Sequence, residues 1–208
     1  MINKIVGGFA CRGCSSSNRK KHLREIQSVN STSAISWPRR PTIVFINDDF
    51  KEVDPTHDDP MVIVVEVDNF TIMKTLVDQG ISIDILYWTF KKMRIPETKI
   101  QPYDDQIISF SREQVDTRGY IDLYTTFGED KNLNWTIKIR YLIVEANTSY
   151  NILLGRPYLN VLWSFVSTPH LAMKFSFASS DIVMIHVDQK VARESYVTSL
   201  RVEPTNKE

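Results

Sequence analysis

Apolar and polar residues alternate in short bursts along most of this chain. From Pro41 onward TIVF, MVIVVEV and FTIMKTLV are β-branched and partly alternating, so each reads as a strand. Asp68-Asn69 lies between the last two and suits a tight hairpin turn. YWTFKKMRIP carries apolar residues at Trp88, Phe90, Met93 and Ile95 and stops at Pro96, which predicts a short helix. IISFS and GYIDLYTTFG predict a strand pair around REQVDTR. In WTIKIRYLIVEA, Ile137, Ile139, Tyr141 and Ile143 alternate with Lys138, Arg140 and Leu142, which predicts a long strand. YNILLGRPYLNVLW runs from a short buried strand through Gly155 into a helix with Pro157 in its first turn. HLAMKFSF and DIVMIHV predict a last hairpin joined by Ala178-Ser179-Ser180. Many short strands with two short helices argue a mostly β domain.

Charge sharpens the boundaries. Residues 1–40 hold eight Lys/Arg and one acid, whereas residues 41–70 hold eight Asp/Glu and one Lys. The first stretch also contains GG, SSS and RKKH and has poor apolar periodicity, so it reads as a basic, disordered linker. The expected organisation is a tail over 1–40, one domain over 41–200 and a short disordered end over 201–208. Cys11 and Cys14 are the two cysteines, too few for a disulfide framework. No apolar run has the length of a membrane span, and the start does not read as a signal peptide. An intracellular setting, cytoplasmic or nuclear, is the expectation.

Three acidic sites compete for a chemical role. In LVDQGISIDIL a carboxylate and a glycine interrupt two apolar runs: the strand FTIMKTLV delivers Asp78, and Gly80 allows a sharp turn or a close backbone approach. A charge among apolar residues costs several kcal/mol unless it is paired or its pKa shifts. Asp116-Thr117-Arg118-Gly119 reads instead as an exposed turn. Tyr103-Asp104-Asp105 imitates a polymerase motif but has no apolar hairpin around it. Elsewhere, Cys11, Cys14 and His22 lack the fourth ligand and regular spacing of a zinc site, so no metal is expected. Arg19-Lys20-Lys21-His22 limits nucleic-acid contact to the tail. His57-Asp58-Asp59 reads as a solvated turn, His170 and His186 as structural, and Trp88 and Trp163 as core.

LVDQGISIDIL followed far downstream by YNILLGRP resembles the retropepsin pattern, an Asp-Ser/Thr-Gly loop and a later apolar-apolar-Gly segment before a short helix. With VDPTHDDPMVI, TFKKMRIP, DTRGYIDLYTTFG and STPHLAMKF in the same order, nearly the whole chain resembles the protease region of plant gypsy-class LTR retrotransposon gag-pol polyproteins. That resemblance implies a closed β-barrel and an aspartic endopeptidase that needs no cofactor. It implies a homodimer in which each subunit supplies one acid, here Asp78. The active-site loop would include Gln79, Gly80 and Ser82. A flap over Ser109–Gly119 would hold a polypeptide substrate, its own polyprotein, with Arg118, Gly119 and Tyr120 in contact. Gly155 would support the loop, and Arg156 would pair with Asp84. The chain departs from the family at Gln79, where Ser or Thr braces the two loops across the dimer axis. Gln is longer and has more rotamers to freeze. The alternative reading is a catalytically silent remnant that acts as a dimerisation or peptide-binding module.

Overall fold

A computed structural model describes residues 41–200 except 52, 55, 88, 104–106, 109–113, 131–132, 147 and 177–180. The tail over 1–40, with Cys11, Cys14 and His22, lies outside the described residues, as does the end over 201–208.

The alternating segments do form strands. β1 (Val62–Val67) and β2 (Phe70–Val77) make a hairpin through Asp68-Asn69, with Val67 opposite Phe70. Asp68 takes φ 49°, the left-handed conformation that a two-residue turn requires. β3 (Asp84–Leu86), β6 (Thr117–Asp130), β7 (Leu133–Val144) and β8 (Ile152–Leu154) complete a closed barrel in the order β1-β2-β8-β3-β7-β6. Closure leaves the barrel itself no free edge. Ile137, Ile139, Tyr141 and Ile143 of β7 are buried while Lys138 and Arg140 are exposed, as the period-2 pattern requires. Leu142 and Val144 are also buried, so the last turn of β7 is covered on both faces.

Outside the barrel, β9 (Phe165–Ser167), β10 (Ala172–Ser176) and β11 (Ile182–His186) form a three-stranded sheet. Met173, Phe175, Val183 and Ile185 share one apolar cluster with barrel residues such as Val65 and Phe127. A two-stranded ladder of β4 (Ile107–Ile108) and β5 (Gln114–Val115) flanks residues 109–113. The helices are α1 (Thr89–Lys92), α2 (Arg156–Leu162) and α3 (Gln189–Ser199). Phe127 stacks on Tyr158 of α2 with ring centroids 5.4 Å apart, which ties α2 to the barrel interior.

Several expectations need correction. TIVF joins no ladder: it runs alongside the domain with Val44 exposed, and Lys174 Nζ donates to the Val44 carbonyl at 2.9 Å. Ile107-Ile108, the described part of IISFS, pairs with Gln114-Val115, not with GYIDLYTTFG, which pairs with β7. A third helix, α3, joins the two expected ones; Asp188 caps it by accepting from the N–H groups of Lys190 and Val191. His57-Asp58-Asp59 is not a solvated turn. Asp59 accepts from Gln189 Nε2 at 2.7 Å and from Arg193 Nε at 2.9 Å, so the segment straps onto α3. Trp163 is an exposed C-cap of α2 at φ 53°, not a core residue. His170 has the structural role expected of it, stacked on Phe50 at 4.1 Å.

Candidate active site

The strand order dictates the geometry around Asp78. β8 lies between β2 and β3 and runs parallel to β2. The chain leaving β2 must therefore cross the C-terminal end of β8 to reach β3. Residues 78–83 make that crossing, and Gly155 is the residue they cross. A Cβ there would stand 2.3 Å from the Ile83 carbonyl oxygen and 2.8 Å from that of Ile81, so only glycine fits. Three main-chain N–H groups stitch the crossing together. Asp78 N–H donates to the Leu154 carbonyl at 2.9 Å, Arg156 N–H to the Ile81 carbonyl at 2.9 Å, and Gly155 N–H to Asp84 Oδ1 at 2.7 Å.

Asp78 sits at the start of this crossing, half-buried, while Gln79 and Gly80 are exposed at its apex. The Gly80 N–H donates to Asp78 Oδ1 at 2.7 Å, which fixes the carboxylate against its own turn. A Cβ on Gly80 would lie 3.0 Å from that same oxygen, so a larger residue would push the carboxylate aside. Tyr87, just beyond β3, has its phenol pKa raised by burial first and by the Asp78 charge second, which marks it as an electrostatic neighbour of Asp78.

Asp84 is buried, and burial raises its pKa to about 6 against the lowering effect of the Gly155 N–H. Its partner is that main-chain donor. Arg156 does not pair with it: Arg156 is exposed at the start of α2, and the Asp84 carboxylate accepts from the Gly155 N–H instead. Asp84 also lines a cavity of about 330 Å³ with Ser82, Tyr103, Arg140, Pro157 and Val161. Ser82 itself is exposed.

The hairpin residues Arg118, Gly119 and Tyr120 lie at the base of the β4–β5 hairpin, not at its tip. Tyr120 and Gln101 exchange main-chain bonds at 2.8 and 2.9 Å. Gly119, at φ 129°, is buried with the Gln101 carbonyl so close that a Cβ would stand 2.3 Å from it. Arg118 pairs with Glu97 at 3.3 Å and with Glu145. The Arg140 guanidinium stacks 4.2 Å over the Tyr120 ring. Sequence reasoning missed Tyr87, Glu97 and Glu145, because nothing local connects them to Asp78 or to the hairpin. Asp116-Thr117-Arg118-Gly119 is not the exposed turn expected: Asp116 is exposed, but Thr117 to Gly119 open β6 and Gly119 is buried. Asp104, Asp105 and the hairpin residues 109–113 lie outside the described residues.

A mostly β chain with a closed six-stranded barrel, presenting an Asp-Gln-Gly turn at the end of β2, is the class that fold and site define. No family model matches the chain, and no curated protein matches it. Among solved structures it is similar to the retroviral protease-like domain of Ddi1 from Leishmania major, at 9% identity and a TM-score of 0.47, over 64% of this chain and 98% of that one. It is also similar to a retropepsin-like aspartic protease from Rickettsia conorii, at 17% identity and a TM-score of 0.38, over 60% of this chain and 79% of that one. Among the described residues no helix is long and apolar enough to cross a membrane.

Proposed function

We propose that this chain is an aspartic endopeptidase domain of the retropepsin type that works as a homodimer, each subunit supplying Asp78. The observation that carries the reading is the turn itself: a half-buried carboxylate held by the Gly80 N–H, beside an exposed apex, on a crossing locked by Gly155. One such turn per chain fits one acid per subunit, and a two-fold axis brings two copies of it face to face. Two carboxylates about 3 Å apart cannot both ionise, so the pair shares a proton and titrates as a unit. The ionised Asp78 removes a proton from water as the water attacks the peptide carbonyl. The protonated Asp78 of the other subunit donates to the carbonyl oxygen. Proton transfer to the departing nitrogen then breaks the C–N bond, and no cofactor enters.

The wider sequence resemblance extends this reading to a segment of a plant gypsy-class retrotransposon polyprotein, acting inside the cell on that polyprotein. The basic tail is the only part suited to nucleic acid. The second reading, a silent dimerisation or peptide-binding module, rests on Gln79 at the apex, where the resembled family has Ser or Thr.

The test is hydrolysis of dye-quenched casein by the full chain at mildly acidic pH. The expected rate per subunit rises with protein concentration as dimer forms, and Asp78→Asn abolishes it. Equal rates for the two chains, or no cleavage by either when both are folded, would overturn the peptidase reading.

A further inference from the structure

A cleft of about 700 Å³ is lined by the β1–β2 hairpin, the end of β11 and α3. Three separate parts of the chain each bring a lysine to it: Lys51 before β1, Lys74 in β2 and Lys190 in the first turn of α3. Among the described residues none of the three has an ion-pair partner. Val64 and Met73, both exposed, give the cleft an apolar floor. Two acids also line it, and one of them, Asp188, is engaged in capping α3. Arg193 is engaged by Asp59, which leaves Glu194 as the one lining acid among three unpaired lysines.

The backbone at Lys74 is unusual. Ile63 faces Thr75 and Val65 faces Ile72, so Met73 and Lys74 together oppose Val64 in a bulge. Lys74 takes φ 58°, a left-handed conformation that is unfavourable for a residue with a Cβ and easy for glycine. Asn151 holds the bulge in place: its N–H donates to the Lys74 carbonyl at 3.0 Å and its Nδ2 to the Met73 carbonyl at 2.7 Å. The bulge explains how β2 parts from β1 to meet β8. It does not explain why the residue in the strained conformation is a lysine with no partner.

We propose that this cleft docks an acidic, extended segment of a partner protein, with carboxylates on Lys74, Lys51 and Lys190 and an intervening apolar side chain on Val64 and Met73. Charge complementarity selects the occupant. The chain's own residues 1–40 hold eight Lys/Arg and one acid, so they carry the wrong sign for this cleft. A lone phosphate or carboxylate would meet the lysines but leave the apolar floor uncovered. A peptide that alternates acidic and apolar residues satisfies both. The contacts lie near the surface, so each is modest and the sum is sensitive to salt. Asp78 does not line the cleft, and the proposal stands independently of the peptidase reading.

The test is fluorescence anisotropy of a dye-labelled Glu-Leu-Glu-Leu-Glu peptide titrated with the full chain. The peptide should bind, and binding should weaken about fivefold between about 50 and about 300 mM salt. Lys74→Gly should lose about tenfold in affinity while its melting temperature stays within about 2 °C of the parent, because glycine is at ease in the bulge. Lys74→Arg should keep most of the affinity. Lys51→Ala and Lys190→Ala should each lose about threefold. Sodium decanoate, which has one carboxylate on an apolar chain, should compete only at about a hundredfold higher concentration than the unlabelled peptide. No binding of the peptide by the folded parent would overturn the proposal, as would equal affinity in the parent and Lys74→Gly. Equal binding of a Lys-Leu-Lys-Leu-Lys peptide would remove the charge argument. Decanoate competing at the peptide's own concentration would make the cleft a site for a small amphipathic anion and would likewise overturn it.

Discussion

The Gly155 N–H donates to Asp84 Oδ1 at 2.7 Å across 71 residues of sequence, and this bond joins the two halves of the candidate site. It satisfies one oxygen of a buried carboxylate without neutralising it. Burial therefore still dominates, and the Asp84 pKa stands at about 6. A folded-state value above the ordinary carboxylate value means the folded chain keeps a proton that the unfolded chain has already lost. The associated stability is fully present below about pH 4 and is lost as pH rises through about 6. Asp84→Asn keeps an oxygen for the Gly155 N–H and carries no charge. Its stability advantage over the parent should be near zero at low pH and reach about 3 kcal/mol above neutrality, as urea unfolding at several pH values would report.

Gly155 has no conformational need to be glycine, since its φ is −100°, but it has a steric one. Gly155→Ala drives a methyl into the Ile81 and Ile83 carbonyls, which are main chain and cannot rotate away. The expected cost is about 3 kcal/mol, with the Asp78 turn displaced. Thermal unfolding of the variant checks the first part, and the chemical shift of the Asp78 carboxyl checks the second.

Asp49 and Lys174 form a buried pair at 2.6 Å, 125 residues apart in sequence, and the same Nζ holds the Val44 carbonyl. This anchors residues 41–50 against the three-stranded sheet. Asp49→Ala leaves the ammonium buried without its carboxylate and should cost about 3 kcal/mol. Lys174→Met, which removes the charge and keeps the bulk, should cost less together with Asp49→Ala than Asp49→Ala costs alone. A double-mutant cycle measured by denaturant unfolding decides this.

Gln79 is exposed at the apex of the turn, where two copies would meet. Gln79→Thr exchanges a long side chain for a short one with fewer rotamers to freeze. Self-association should tighten by about fivefold, measured by sedimentation across a concentration series. Weaker association in the variant would count against a two-fold interface at this turn.

Much of the barrel was legible because its strands alternate cleanly. Ile137 to Ile143 in β7 announce their inward face, and Asp68-Asn69 announces its hairpin. The Asp78 turn and Gly155 also stand out, as polar or flexible breaks in apolar runs. What stayed hidden is non-local. Nothing in the sequence says that β8 inserts between β2 and β3, and that insertion explains Gly155. The same insertion gives Asp84 a main-chain partner in place of Arg156. Pairings as short as Ile107-Ile108 with Gln114-Val115 hold too few residues for a period-2 pattern to announce them. α3 escaped notice because Ala192 and Ser195, both small and one polar, are the residues it buries, so its apolar stripe is faint.

The central claim is that two chains each give one Asp78 to a single active centre. Mixing answers it most directly: a fixed amount of the full chain is titrated with the Asp78→Asn variant while casein hydrolysis is followed. The account predicts that the inactive chain poisons the active one, so that activity falls as mixed dimers replace parental ones and approaches zero at excess. Activity that stays constant while the variant is added, with exchange of subunits verified, would show that one chain carries the whole reaction and would contradict the account.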